Sequence, residues 1–326
     1  MNKKNVYNKF FTEEKWGQVN KYNKGLMEDY LLECKSKGRK QSTLDQYKND
    51  IRIVCIYILE ELDNKQFYKL KKKDFRNLIL FFKEKGMANA RVNRLMSAVR
   101  TMLAFAEDDE DYDEIEVNQC AKIKGLQKEE AREIIFLTDE EVMHIYNTLI
   151  SQEKYQQATL CALLYESLGR RNELVQVRYD DIAEDRVVCN TLVVAKRGKR
   201  YRPIYNDLTK HAYKLYKQQR GEDDCKSLWR SMNGTEADKD TLYSWVVSWR
   251  EYVREFSGEY KPFNPHSFRH SGATNYENGT HQFCKKLGRA LTLIEIQKIM
   301  NHSDISTTQS YLKCRDEEVL VDLFDI

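Results

Sequence analysis

The stretch "NPHSFRHSGAT", residues 264–274, decides how the rest of the chain is read. Asn264 is a good N-cap and Pro265 suits the first helical turn, where its missing N–H costs no hydrogen bond. The spacing predicts a helix over 265–277. His266, Arg269 and His270 then stand at i, i+3 and i+4 and share one face. A helix N-terminus already carries partial positive charge. An arginine and two histidines there call for something negative opposite, and a phosphate meets that demand. Two plainer readings compete: an Arg269–carboxylate pair with core histidines, and a His266/His270 zinc pair. No glutamate lies between the histidines, so the H-E-x-x-H protease pattern is absent.

Composition narrows the field. The chain has 326 residues, 32% of them charged, and only three prolines. It is long enough for two cores, and polar enough to be soluble and mostly helical. It has no apolar run of membrane-spanning length. The N-terminal "MNKKNVYNKFF" lacks the apolar core of a signal peptide. A cytoplasmic location is expected. The eight cysteines are scattered without a C-x-x-C, which suits small buried hydrophobes in a reducing compartment. Charge is uneven. Residues 1–107 carry 23 Lys/Arg against 13 Asp/Glu, whereas 108–133 carry 4 against 10. The basic N-terminal third points to a polyanionic partner.

The charge shift also suggests the domain plan: 1–107 helical, 108–136 an acidic linker, and 137–326 a second domain. In the first, helices are expected from about residue 20. Residues 42–62 carry an apolar helical stripe capped by Ser42 or Thr43, and 71–86 and 89–109 supply two more helices. In the second, Thr138 and Glu141 form a capping box, with helices to about 149 and over roughly 154–168. Residues 186–206 read as a small antiparallel sheet with "KRGK" at its hairpin tip. Helices resume over 207–220, 239–256, 265–277, 292–300 and 305–313.

Four separated stretches then fall into order: "SLGRRNEL" (167–174), the hairpin, "HSFRHSGAT", and "NHSDISTTQSY" (301–311). Together they resemble the tyrosine recombinase (phage integrase) family over about residues 137–313. That family shares an R-x-x-E-L box, a hairpin lysine, an H-x-x-R-H box and an H-S-x-x-x-T-T-x-x-Y box. The resemblance implies a mainly α, two-domain protein. An N-terminal helical bundle binds core DNA, and a mostly helical C-terminal catalytic domain carries a small antiparallel β-sheet. It implies a site-specific recombinase acting through a 3′-phosphotyrosyl intermediate, without metal, cofactor or ATP. Arg170, Lys196, His266, Arg269, His302 and the nucleophile Tyr311 take the catalytic positions, with Lys199 the alternative lysine. Glu173 is expected to be structural, with orienting an arginine as one such role, and Arg171 to form a local ion pair or a second DNA contact. Lys71, Lys72, Lys73, Arg91, Arg94, Arg100, Arg197, Lys199 and Arg200 are candidate DNA contacts. Implied partners are double-stranded DNA, further copies of the chain in a tetramer, and an accessory DNA-bending protein. A type IB topoisomerase-like enzyme and a degenerate DNA-binding protein remain alternatives.

Three departures from the family pattern stand out. Gly169 abuts Arg170, with Leu168 where the glycine is usual. If Gly169 supplies a special backbone angle, Arg170 is displaced or Arg171 recruited. Asn301 replaces the glycine before "HS", a change that left-handed backbone tolerates. Residues 279–290 form an insertion, expected as a surface loop or helical turn that includes His281. The amphipathic tail 317–326 is expected to dock on a neighbouring protomer or on its own domain.

Overall fold

The computed structural model describes residues 9–127, 134–195 and 198–312. The chain divides into two compact units, 1–132 and 133–326.

The first unit is a helical bundle: α1 (Glu13–Gln18), α2 (Lys21–Ser36), α3 (Gln41–Glu61), α4 (Lys72–Glu84) and α5 (Asn89–Glu107). Helices therefore begin before residue 20, with Thr12 capping α1. The predicted stripe of α3 is its buried face, with Leu44, Ile51, Val54, Cys55 and Ile58 in the core. Its N-cap is Lys40, so Ser42 and Thr43 lie inside the first turn and do not cap it.

The acidic stretch corrects the expected linker. Tyr112, Ile115, Cys120 and Ile123 are buried in the first unit's core. Arg100 donates to the Cys120 and Ile123 carbonyls at 3.3 and 3.0 Å, and Asn118 donates to the Arg100 carbonyl at 3.0 Å. Four apolar residues at irregular spacing carry no helical period, so the surrounding acids hid them. Residues 108–126 are part of the bundle.

The second unit contains α6 (Asp139–Ser151), α7 (Tyr155–Ser167), the short α8 (Arg171–Leu174), β1 (Val193–Val194), β2 (Arg200–Tyr201) and α9 (Asp207–Arg220). Then come α10 (Lys239–Ser248), α11 (Arg250–Ser257), α12 (Pro265–Glu277), α13 (Gln282–Leu287), α14 (Leu293–Ile299) and α15 (Ile305–Gln309). The expected capping box at Thr138/Glu141 forms, and a second joins Thr292 and Glu295. The strands pair antiparallel, Val193 with Tyr201 and Val194 with Arg200. The helix expected over 239–256 breaks at Trp249, whose buried indole donates to Gln157 at 2.9 Å.

Helix α12 runs through the interior, buried along most of its length. Its polar residues are spent inside: Ser271 accepts from the Leu137 N–H at 2.8 Å, and Asn275 donates to the Tyr165 hydroxyl at 2.8 Å. Gly272 lets α12 lie against α7, since a Cβ there would stand 2.5 Å from Leu168 Cδ2 and 2.9 Å from the Tyr165 carbonyl oxygen. The 279–290 insertion forms the expected helical turn, Gln282–Leu287, with residues 285–290 exposed, yet it is anchored from within. His281 is wholly buried, stacked on Tyr165 at 4.1 Å and on Tyr276 at 3.8 Å. Asp139 accepts from Gln282 and from Lys285, tying α13 to α6. Two of its side chains, His281 and Cys284, turn into the core.

Gly272→Ala is expected to lower unfolding stability by about 1–3 kcal/mol through overpacking, read as a reduced urea midpoint at unchanged slope. A wild-type midpoint would mean that α7 and α12 are not in that contact.

Candidate active site

Helix α7 ends at Leu168, which adopts left-handed angles, φ 52° and ψ 24°. The special angle therefore belongs to Leu168 and not to Gly169. Gly169 is required for space: a Cβ there would meet Leu174 Cδ2 at 2.5 Å. Arg170 follows as the N-cap of α8 and stays in its expected place. Its backbone N–H donates to Glu173 Oε2 at 2.8 Å and its Nη1 to Glu173 Oε1 at 3.1 Å. Glu173 is 2% exposed and also accepts from the Tyr201 hydroxyl at 2.7 Å. Arg171 turns away to Asp240 at 3.2 Å, as a local ion pair, and lies over the Tyr243 ring.

Arg269, one turn into α12, is 1% exposed. Its Nη1 donates to the Leu168 carbonyl and its Nη2 to the Met300 carbonyl at 2.9 Å and to His302 Nε2 at 2.7 Å. Its Nε is buried without an acceptor among the described residues. Burial and neighbouring Arg170 pull its pKa down to about 10, so it is still a cation at neutral pH. Arg170 Nη2 reaches the same His302 nitrogen at 3.4 Å. The left-handed turn at Asn301, φ 54°, brings His302 into this position, and the expectation of a tolerated Asn holds.

His302 Nε2 accepts, so the proton is assigned to Nδ1, which donates to Thr308 Oγ1 at 3.0 Å. Burial, then Arg269, Arg170 and Lys199, push the imidazole down to about 3. Burial, then His270, Arg269 and Arg170, push His266 down to about 4. His270 is lowered as well, mainly by burial. All three rings are neutral at pH 7.

Tyr311 sits among them. His270 stacks on its ring at 4.3 Å and 17°, and His270 Nδ1 donates to the Tyr311 carbonyl at 2.8 Å. The His266 and His302 ring centroids lie 5.2 and 5.1 Å away. The Arg269 guanidinium lies 5.1 Å from the ring centroid. Arg170 is within electrostatic reach of the Tyr311 side chain. Burial opposes the Arg170 charge, yet Glu173 and Tyr311 together outweigh it and raise its pKa. Arg170, Asn264, His266 and Arg269 line an open cleft with Arg171 and Tyr243.

Five of the six residues expected at the catalytic positions thus converge. Lys196 lies outside the described residues, as do Arg197 and the tail 317–326. Lys199 Nζ donates to the Asn301 carbonyl at 2.8 Å and approaches Ser303 Oγ at 3.4 Å. Arg200 is exposed on β2. Among the candidate DNA contacts of the first unit, Lys71 and Lys73 are exposed at the start of α4 and Lys72 is partly so. Three others serve the bundle itself. Arg91 and Arg94 neutralise buried Asp50 at 2.7 and 3.0 Å, and Arg100 holds the 108–126 segment. A buried carboxylate needs such partners. Sequence reasoning missed Tyr201 and the Leu168 carbonyl. The inward alternation of β2 was a usable signal for the first, and nothing local marked the second. No cluster suited to a metal ion occurs among the described residues, and His266 and His270 meet edge to face beside Tyr311.

The phage integrase family model matches residues 135–318. Among curated proteins, the tyrosine recombinase XerC of Treponema denticola is 24% identical over 315 residues, covering 90% of this chain and 95% of that protein. The SPbeta prophage-derived recombinase-like protein YomM of Bacillus subtilis is 23% identical, covering 94% and 92%. Among solved structures, a lambda integrase dimer bound to a COC' core site aligns with TM-score 0.66 at 18% identity, covering 88% of this chain and 76% of that one. The Tn1549 transposon integrase in complex with transposon right end DNA gives TM-score 0.66 at 16% identity, covering 92% and 99%.

In an NMR titration His302 and His266 are expected to stay neutral down to about pH 5. A His302 midpoint near ~6.5 would contradict its placement against two guanidiniums. The sign of the linked stability effect follows. The unfolded chain takes up protons at these rings near ~6.5, and the native state does not. They leave stability untouched above about pH 7 and withdraw it as pH falls from ~6.5 towards 4.

Proposed function

The chain belongs to the phage integrase family and is a tyrosine recombinase, an enzyme that cuts and rejoins DNA strands; we propose that Tyr311 is its nucleophile and that Arg170 and Arg269 hold the scissile phosphate. One observation carries this reading: the Tyr311 ring lies 5.1 Å from the Arg269 guanidinium, with the His266, His270 and His302 rings around it. A phosphodiester under attack gathers negative charge on its non-bridging oxygens. Two guanidiniums grip those oxygens with forked donors that no lysine reproduces. Arg269 retains an unpartnered Nε for such an oxygen.

The Tyr311 oxygen attacks phosphorus, the bond from phosphorus to the 5′ oxygen breaks, and a 3′-phosphotyrosyl ester forms. The phenol loses a proton, for which the neutral His266 ring is the acceptor nearest in character. The leaving 5′ oxygen gains one, and Lys196 is the general acid we assign. A 5′-hydroxyl from a second strand then reverses the step on a new partner. The ester conserves the energy of the broken linkage, so the exchange needs no ATP. His302 is held neutral between the arginines and shares their orientation without adding to the positive charge.

The lambda integrase has been seen as a tetramer bound to a Holliday junction. We infer that this chain likewise assembles on duplex DNA as a homotetramer in the cytoplasm. Lys71, Lys72, Lys73, Arg197, Lys199 and Arg200 are the candidates for backbone contacts. No helix among the described residues is long and apolar enough to cross a membrane.

The test is covalent capture. Nicked duplexes from a randomised pool let the short 5′-hydroxyl fragment diffuse away, so an attacked strand stays on the protein and runs as a shifted band on a denaturing gel. Tyr311→Phe is expected to abolish that band, and Arg269→Lys to slow its formation about 10²–10³-fold. A band that persists in Tyr311→Phe would refute the assignment of the nucleophile.

A further inference from the structure

Tyr201 brings to the site a partly buried hydroxyl for which the reaction above has no use. It lies opposite Val193 in the two-stranded register, and its side chain is partly buried where that of Arg200 is exposed. Its hydroxyl donates to Glu173 Oε2 at 2.7 Å. The same oxygen accepts from the Arg170 backbone N–H, and Oε1 accepts from Arg170 Nη1 at 3.1 Å. With Glu173 only 2% exposed, these donors are what hold its charge.

A buried carboxylate beside a phosphate-gripping arginine acts in two opposed ways. It orients the guanidinium, and it competes with the phosphate for the same N–H groups. A full bidentate pair, the strongest geometry the two groups can form, would hold Arg170 on Glu173. The phenolic donor occupies the oxygen that such a pair would need. The same hairpin fixes its other side of the site through Lys199, whose ammonium holds the turn before His302.

We propose that Tyr201 is a positioning residue for Arg170: by occupying Glu173 Oε2 it limits the carboxylate to a single contact with the Arg170 side chain and leaves the rest of the guanidinium free for the scissile phosphate. This rests on the role given to Arg170 above. Tyr201, between Arg200 and Arg202 in sequence, places this donor in the strand next to the expected lysine turn. Strand register and arginine orientation are thereby joined through one carboxylate.

Tyr201→Phe removes one oxygen and keeps the ring. On a duplex recovered by covalent capture, its single-turnover cleavage is expected to slow about tenfold, with DNA affinity within about twofold of wild type. The same duplex with a methylphosphonate at the cleaved linkage lacks one charged oxygen and needs less from the arginine. There the defect is expected to shrink to under about threefold. The two rates are compared within one preparation, so a reduced folded fraction cancels. Equal losses on both substrates, or no loss on either, overturn the role of Tyr201. A wild-type chain that forms no Tyr311-dependent adduct overturns instead the reading on which that role rests.

Discussion

The second unit turns on the burial of the Arg269 guanidinium. It is 1% exposed, and its partners are two backbone carbonyls and an imidazole, none of which carries a full negative charge. Withdrawing a cation from water without a counter-ion costs several kcal/mol. The fold has accepted that cost, and the result is a site that lacks an anion. Much of the neighbouring backbone serves this one group. Leu168 takes left-handed angles that disfavour a side-chain-bearing residue by about 1–2 kcal/mol, and its carbonyl meets Nη1. Gly169 and Gly272 give the close approaches that let α7, α8 and α12 meet around it.

Charge is kept economical around that centre. Arg170 and Arg269 both approach His302 Nε2, so a proton on that nitrogen would put a third cation between them. The ring stays neutral and accepts from both. His270 works differently: it lies flat on Tyr311 and holds that residue's carbonyl. One histidine thus aligns the arginines and another aligns the phenol. The puzzle of cationic residues at the positive end of a helix resolves in the same terms. Of the three, only Arg269 is charged at neutral pH, and it is turned inward to carbonyls.

Much of this was legible without coordinates. Helices α9 and α12 lie on their predicted spans, and α12 starts at the Asn264–Pro265 signal read from the sequence, where Asn264 accepts from the His266 N–H. The converging residues were found through the resemblance of four separated motifs to the tyrosine recombinase family. Other features were not legible, and each failure has a physical cause. Residues 108–126 bury four apolar side chains without any period, so composition spoke for a linker. Arg91, Arg94 and Arg100 look like any basic residues on a helix, and only the fold shows Asp50 and two carbonyls waiting for them. Within 279–290 the burial of His281 went unread, because nothing local says that it will lie between two tyrosines.

Sequence by itself determined the kind of chemistry. Residue type and spacing fix what a side chain is able to do and which helix face it occupies, and both are local properties. Tertiary structure decided which donors remain available for a ligand. That depends on groups far apart in the chain: the Leu168 and Met300 carbonyls for Arg269, Glu173 and Tyr201 for Arg170, Asn301 for Lys199. A hydrogen bond forms only between groups brought within about 3 Å, and only the packed chain sets such distances.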